Sequence, residues 1–314
     1  MNLSSQEFNN RTEVSSSVTY LVAAIISIAA LITNLFCIAF ILAKSQLRTP
    51  TNAILCSSCA SVLLMVLLIF FNTAASISIE KNEIREIINC ISGQPCELTC
   101  VGIFNIHTCL ISLERLYSIV YPFKYQRLAT CYNIMILLIL CWIIPICSIL
   151  VPFIVNISVH GSKCSGWYDL EGVSHHIDFI LLPIVVFLPL VITFLSYSVI
   201  IQRICSLQHK TCLETTANYE LCYLSPYKLI LLHRKAILQM VLIISIYMIA
   251  FIPFYVLYTL MVVSLQPDLV LPTYVATQFC ITYMIFHPVL AIAFRSAIKV
   301  EFLKMCKNIY CQWK

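Results

Sequence analysis

The stretch ISLERLYSIVYPF, from Ile111 to Phe123, ends a long apolar run with an acid–base pair, Glu114 and Arg115. Charged side chains are costly in lipid but are tolerated at a helix end, where water and headgroups begin. The stretch therefore predicts the end of a transmembrane helix that extends back to about Ile91. The pair by itself fits a snorkelling arginine beside its counter-ion as well as a two-state switch.

The composition of the whole chain indicates that lipid is its main solvent. Of the 314 residues, 61% are hydrophobic and 11% are charged, and the mean hydropathy is +0.93. A soluble domain carries about a quarter charged residues. Seven apolar stretches exceed the length of a buried core helix; they lie near Val18–Ala43, Ala53–Ile77, Ile91–Val120, Ile134–Val155, Phe179–Ile201, Ala236–Ser264 and Leu271–Ala293.

We predict an all-α membrane protein, a seven-transmembrane helix bundle with a short amphipathic C-terminal helix. Residues 1–17 form an extracellular N-terminus, residues 18–293 the seven-transmembrane domain, and residues 294–314 a cytoplasmic amphipathic helix and tail. In that tail Ile298, Phe302 and Met305 fall on one side at helical spacing, which is typical of a helix lying on the inner leaflet. The segment before Ala236 is apolar enough to extend the sixth span.

The distribution of basic residues places the N-terminus outside the cell. With that orientation fifteen lysines and arginines fall on the cytoplasmic side and four on the other, as the positive-inside rule requires. Three glycosylation sequons, at Asn2, Asn10 and Asn156, also fall outside. The net charge of +5 favours anionic membrane lipid as a partner, and nothing in the sequence suggests nucleic acid.

Two groups of cysteines stand apart from the seventeen in the chain, most of which we interpret as small packing residues. Cys90 and Cys164 both lie on the oxidising side, so a disulfide between them is plausible, with Cys96 and Cys100 as rival partners. Cys306 and Cys311 lie in the basic tail, where palmitoylation and unmodified thiols fit equally well.

One distinctive motif occurs in each span, in order along the chain. The motifs are ITNLF with Asn34, LRTPTN at 47–52, LERLYSIVYPFKY, CWIIP with Trp142, FLPLVITFLSY with Pro189 and Tyr197, FIPF with Pro253, and FHPVLA with Pro288. Together they resemble the rhodopsin-like family of G protein-coupled receptors, in which LERLYSIVYPFKY is similar to the acid-Arg-aromatic motif. Cys90 precedes Arg115 by twenty-five residues, which is the spacing of that family's outer cysteine.

The resemblance implies a plasma-membrane receptor that couples an extracellular ligand to a heterotrimeric G protein. Agonist binding would move the sixth span about the kink at Pro253, and Arg115 would then meet the G protein with support from Tyr197. Each in-helix proline, Pro288 included, removes a backbone hydrogen bond and bends its helix. Since no catalytic triad, phosphate loop or metal motif occurs, we expect neither an enzyme nor a cofactor.

Several family positions hold other residues here. Val62 replaces an aspartate and Phe104 a serine, so we expect no sodium site, because a cation without an anionic ligand is unstable in that dielectric. The remaining departures are Leu116, Phe251, His287 and Ala291 in place of two tyrosines, a tryptophan and an asparagine of the family. Loss of the sodium site would favour the active state, whereas loss of the tyrosine at Ala291 would weaken it. The sequence therefore leaves basal activity undetermined. Eroded motifs on a retained frame favour a divergent, chemosensory lineage.

The inner end of the sixth span carries three adjacent polar residues, His233, Arg234 and Lys235. Some relatives place an acid there to hold the arginine, which a charged histidine does not do, so Glu114 becomes the main restraint on Arg115. Arg234 and Lys235 fit contacts to a G protein or phospholipid and equally fit simple positive-inside flanking.

The expected ligand pocket has one acid and several aromatic rings. Glu97 matches the position of the aspartate of amine receptors, so it either faces a wet cavity or pairs near the surface with Lys163 or a histidine. Leu181, Leu182 and Val185 stand where amine receptors place serines, so we expect a small organic cation without hydroxyls, an odorant or a peptide end. The predicted ligand-binding residues are Glu97, Cys100, Val101, Leu181, Phe251, Phe254, Tyr255, Tyr258 and Thr277.

Two other classes of protein fit the sequence. One is a seven-span protein that binds a ligand without signalling. The other is a transporter or channel that uses Glu97 and His107 inside the membrane; the scarcity of glycine and the lack of repeats favour it less.

Overall fold

The computed structural model describes residues 3–78, 94–152, 154–155, 187–217, 226–264 and 269–312. Within these ranges the regular structure is helical throughout. The helices are α1 (Leu3–Ala43), α2 (Pro50–Ser78), α3 (Gln94–Val120), α4 (Pro122–Leu128), α5 (Cys131–Pro145, continued by a π-helical turn Ile146–Leu150), α6 (Leu188–Ala217), α7 (Pro226–Ser264), α8 (Val270–Phe294) and α9 (Ser296–Gln312).

The predicted helical bundle is confirmed, and its seven spans correspond to α1, α2, α3, α5, α6, α7 and α8. Six of these are long and apolar enough to cross a membrane, and α6 contributes a shorter apolar segment, Leu188–Ile204. Three helices extend past their predicted spans: α1 begins at Leu3, α6 continues to Ala217, and α7 begins at Pro226. The added turns of α7 are rich in apolar residues, as expected, whereas residues 3–17 of α1 are mostly polar.

Proline and threonine set several helix starts on the inner side. Pro50 and Pro122 occupy the first turns of α2 and α4, where the missing N–H has no partner to lose. Thr130 caps α5 by accepting a hydrogen bond from the Asn133 amide at 3.3 Å. Short connections at the inner face therefore join α1 to α2 and, through α4, α3 to α5.

The third span lies at the centre of the bundle. It packs against α2, α5 and α6, and 67% of its apolar window is buried, compared with 22% for α5. Its buried His107 connects three helices. The ring Nδ1 lies 2.7 Å from the Ile103 carbonyl, and Nε2 lies 2.8 Å from the Ser57 hydroxyl, which also accepts from Trp142 at 2.9 Å.

These hydrogen bonds define the tautomer of His107. A carbonyl only accepts, so Nδ1 carries the proton and Nε2 accepts from Ser57. Both ring nitrogens are therefore occupied in a bridge between α2, α3 and α5. This arrangement does not favour the transporter or channel alternative, which uses His107 inside the membrane, because neither ring nitrogen is free for a substrate or ion.

The amphipathic C-terminal helix is confirmed. Ile298 on α9 is fully buried against Phe40 and Leu55, whereas Lys299 and Val300 are exposed. The ring of Phe302 packs edge-on against Phe36 and Phe40 of α1, with ring centroids 6.3 and 6.1 Å apart. The helix is thus attached to α1 and α2 along one apolar face.

Candidate coupling site and outer pocket

In the acid–base pair at the end of α3, Glu114 has closer contacts than Arg115. Glu114 Oε1 accepts hydrogen bonds from Tyr125 at 2.5 Å and from Thr51 at 3.1 Å. Arg115 Nε lies 3.8 Å from Glu114 Oε2, which is an ion pair but beyond hydrogen-bond distance. The two hydroxyls therefore hold the carboxylate more closely than the arginine does, and Arg115 is loosely restrained.

Tyr125, on α4, is a stable donor to this carboxylate. Burial, and then the hydrogen bond to Glu114, raise the pKa of the Tyr125 hydroxyl. A raised pKa keeps the proton on the oxygen throughout the neutral range. Sequence reasoning did not identify Tyr125 or Thr51, although both lie in the LRTPTN and LERLYSIVYPFKY motifs that supported the family resemblance.

A cavity of about 270 Å³ lies among the inner halves of α2, α3, α6, α7 and α8. It brings together three residues predicted for the switch, namely Arg115, Tyr197 and His287. The other lining residues are Leu55, Thr108, Ile111, Thr193, Ile243, Ile244, Tyr247, Tyr283, Leu290, Ala291 and Arg295. The described lining therefore contains two arginines and no carboxylate.

Arg295, between α8 and α9, is the second cation of this cavity. Its Nη1 donates to Asn52 Oδ1 at 2.8 Å and lies 3.4 Å from the Thr51 carbonyl. Burial, and then repulsion by Arg115, lower the pKa of Arg295 to about 10. The sequence analysis counted Arg295 only as a positive-inside residue. Its one sequence signal is a position directly after an apolar span.

A buried polar cluster joins α3 to α7 at mid-membrane. The Asn105 amide donates to the Tyr255 hydroxyl, and its carbonyl oxygen accepts from Tyr247 at 3.0 Å. All three side chains are at most 1% exposed. Sequence reasoning missed Asn105 and Tyr247. The available signal was a polar residue in an apolar helix, which usually faces the bundle interior.

Aromatic rings fill the space around this cluster. Phe104 is fully buried, and its ring stacks on Phe251 with centroids 6.1 Å apart. It also meets Tyr283 and His287 edge-on. Val62, in the position of the missing aspartate, is 1% exposed. Val62 and Phe104 thus carry no oxygen atom in their side chains, and the absence of a sodium site stays a prediction.

Most residues predicted to bind ligand lie in one buried cluster. Cys100, Val101, Phe251, Phe254, Tyr255 and Tyr258 share the largest core cluster of the described chain. Glu97 lies in the first turn of α3, half-buried, with Oε1 3.5 Å from Asn72 Nδ2 of α2. Thr277 donates to the Thr273 carbonyl of its own helix at 2.9 Å. Their role in ligand binding stays a prediction.

The other predicted sites are only partly covered by the described residues. Cys90, Cys164, Leu181, Asn2 and Asn156 lie outside them, and so does the rim with Lys163 and His175–His176. Asn10 is in α1, and His233, Arg234 and Lys235 are in the first half of α7. Pro253 and Pro288 lie inside α7 and α8. Cys306 is exposed on α9, which also contains Cys311.

The chain matches one receptor family along most of its length. A family model described as 7 transmembrane receptor (rhodopsin family) matches residues 33–291. Over 131 residues the chain is 26% identical to the 5-hydroxytryptamine receptor 1D of Mus musculus, a match that covers 42% of this chain and 35% of that receptor.

Two further relatives have similar coverage. Over 144 residues the chain is 27% identical to the octopamine receptor beta-1R of Drosophila melanogaster, covering 46% of this chain and 26% of that receptor. Over 133 residues it is 25% identical to the 5-hydroxytryptamine receptor 1B of Oryctolagus cuniculus, with 42% and 34% covered. The match spans about a third or less of the length of these relatives.

Proposed function

Because the chain belongs to the rhodopsin family of seven-transmembrane receptors, we propose that it couples an extracellular ligand to a heterotrimeric G protein at the plasma membrane. The observation that carries this proposal is the position of Arg115. It lines the inner cavity together with Tyr197 of α6 and His287 of α8, and its contact with Glu114 is long, at 3.8 Å. The arginine can therefore turn to a partner at low cost.

The switching step uses α7. Pro253 removes one backbone hydrogen bond from this helix and provides a point about which its inner half can move. Outward movement of that half, which carries His233, Arg234 and Lys235, widens the cavity beside Arg115. A segment of the G protein then enters, Arg115 contacts it, and Tyr197 packs behind the arginine.

A small organic cation is the ligand class that the chain supports best. The Glu97 carboxylate supplies the counter-charge, and Tyr255 and Tyr258, which share a core cluster with Cys100 and Val101 one turn further along α3, supply aromatic rings for a cation. The relatives are named as receptors for 5-hydroxytryptamine and octopamine, which favours an amine over an odorant or a peptide end. Leu181 argues for a cation with few hydroxyl groups.

The outer and inner surfaces carry the modifications expected of such a receptor. A Cys90–Cys164 disulfide would attach the extracellular loop to the start of the third span. Asn2, Asn10 and Asn156 are the glycosylation sites of the outer side. Cys306 and Cys311 are the palmitoylation sites of α9, where an acyl chain would add to the apolar face that already attaches this helix.

The test is G protein activation in cells by the wild type and by Arg115→Ala at matched surface expression. Each main G protein class is assayed with and without a panel of small organic cations. We expect a signal from the wild type that falls roughly thirtyfold or more in the variant, since losing one partner of a charged contact costs about 2 kcal/mol or more.

Lys299→Ala is the control, because Lys299 is exposed on α9 and does not line the cavity. It should signal like the wild type. An equal signal from Arg115→Ala would contradict the role of Arg115. Silence of the wild type in every class, with and without cations, would favour the non-signalling alternative.

A further inference from the structure

The inner cavity contains buried polar atoms that the protein leaves unsatisfied. Among the described residues, the Tyr283 hydroxyl and His287 Nδ1 have no hydrogen-bond partner. The two side chains are only 2% and 8% exposed, and both line the cavity. A buried polar group without a partner costs about 1–3 kcal/mol. These atoms therefore indicate that the cavity holds something that can hydrogen-bond.

The charge of the cavity indicates which class of molecule this is. Arg115 and Arg295 line it, and no carboxylate does among the described lining residues. Asn52 satisfies one nitrogen of Arg295 at 2.8 Å, but a neutral amide does not cancel its charge. Glu114, at 3.8 Å from Arg115, offsets part of the charge of that arginine but is not one of the lining residues, so Arg295 supplies the excess positive charge. The cavity is therefore electropositive and selects for an anion.

The size and donor geometry narrow the class further. The cavity volume of about 270 Å³ admits a small molecule, and the small side chain of Ala291 leaves this space open. Two guanidinium groups present planar forks of N–H donors, which match the several oxygens of a phosphate group. The hydroxyl of Tyr283 supplies another donor deeper in the cavity.

We propose that this inner cavity is a binding site for a phosphate-bearing anion, held by Arg115 and Arg295 and completed by Tyr283 and His287. The anion is either a small cytosolic phosphate compound or the headgroup of an inner-leaflet phospholipid, which share the same chemistry. Occupancy would cover Arg115 and so compete with a G protein. Only this last consequence rests on the function proposed above.

The binding step is tested on the purified full-length protein in phosphatidylcholine nanodiscs, without a G protein. Inorganic pyrophosphate is titrated, and the midpoint of thermal unfolding is measured at constant ionic strength with sodium chloride as the reference salt. A ligand that binds the folded state raises the midpoint in a saturable manner. We expect pyrophosphate to do so and chloride not to.

Three variants locate the site. Arg295→Gln removes the charge and keeps a donor for Asn52, and it should weaken the apparent pyrophosphate affinity about tenfold or more. Ala291→Phe keeps both arginines but fills the cavity, and it should abolish the response. Lys299→Gln removes an equal charge from an exposed position of α9 and should bind like the wild type.

A second set of nanodiscs, with phosphatidylinositol 4-phosphate added, identifies the source of the phosphate. If the headgroup occupies the site, the wild type unfolds at a higher temperature than in phosphatidylcholine, pyrophosphate adds no further shift, and Arg295→Gln lacks the lipid effect. If a soluble anion is the ligand, the pyrophosphate shift is equal in both lipids.

Three results would overturn the proposal. One is a wild type that shows no saturable shift in either lipid. The second is a shift that chloride reproduces at the same ionic strength. The third is a response of Arg295→Gln and Ala291→Phe equal to that of Lys299→Gln. Because none of these readouts uses a G protein, they leave the proposed coupling function to its own test.

Discussion

At the scale of single residues, Asn105 has the most consequential hydrogen bonds of the described chain. A primary amide offers both a donor and an acceptor. Here the amide N–H donates to the Tyr255 hydroxyl, and the amide oxygen accepts from the Tyr247 hydroxyl. Since both tyrosines lie on α7, on either side of Phe251, one side chain of α3 holds two turns of the moving helix. The amide thus opposes the displacement of α7 that the proposed mechanism requires.

Asn105→Leu should destabilise the protein and raise its basal signal. The substitution leaves two buried hydroxyls without partners, at about 1–3 kcal/mol each, so we expect a loss of about 2–6 kcal/mol. The check is the free energy of unfolding of the purified receptor, together with its basal G protein activation in cells.

The matched control removes the whole cluster. When Asn105→Leu is combined with Tyr247→Phe and Tyr255→Phe, no polar atom is left unpaired, so most of the lost stability should return. If the triple variant were as unstable as the single one, the cost would come from packing around Leu and not from the hydroxyls.

At the scale of elements, α9 depends on its tertiary contacts. It is a helix of 17 residues (Ser296–Gln312), and isolated helices of about this length are marginal in water. Burial of Ile298 and the contacts of Phe302 with Phe36 and Phe40 add the stability that helix propensity alone does not provide. The helix therefore stays ordered only while it is attached to α1 and α2.

Ile298→Ala should loosen α9 locally. Truncating a fully buried isoleucine costs about 2 kcal/mol or more, which corresponds to roughly thirtyfold faster opening of the helix. The measurement is hydrogen–deuterium exchange of residues 296–312 in the purified protein. Val300→Ala is the control, because Val300 is a β-branched neighbour on the exposed side, and its exchange should stay within about twofold of the wild type. Equal acceleration in both variants would mean that the buried face does not hold the helix.

At the scale of the whole molecule, charge predicts the orientation. The bundle itself could cross a membrane either way, but in the predicted topology fifteen of the nineteen lysines and arginines fall on one side. Holding basic residues on the cytoplasmic side is favoured by insertion and by anionic inner-leaflet lipid. The inner cavity, with Arg115 and Arg295, lies on that same basic side.

This orientation predicts which epitope tags antibodies can reach. A tag at the N-terminus should be labelled in intact cells, and a tag at the C-terminus only after permeabilisation. Treatment with an N-glycosidase should increase the electrophoretic mobility of the protein, and Asn10→Gln should reduce that shift. Labelling of the C-terminal tag in intact cells would contradict the assigned orientation.

The sequence alone determined the helical class, the number of spans and the amphipathic last helix. Hydrophobicity and its period are local properties, so Ile298 could be assigned to the apolar side of the last helix before any neighbour was known. The family resemblance added Arg115, Tyr197 and His287, and the structure brings these three to one cavity.

Only the tertiary structure decided which polar residues meet. Asn105 and Tyr255 are 150 positions apart, and Arg295 meets Asn52 across 243. Nothing in the local pattern of either partner specifies the other, because such a contact depends on the rotation and depth of two separately formed helices. The sequence also presented Glu114 as the partner of Arg115, whereas packing placed Tyr125 and Thr51 on that carboxylate. Burial without water makes such pairings obligatory once the helices associate. Apolar pattern therefore determines which segments cross the membrane, and the packed bundle determines which of their polar atoms are satisfied and which are left facing a cavity.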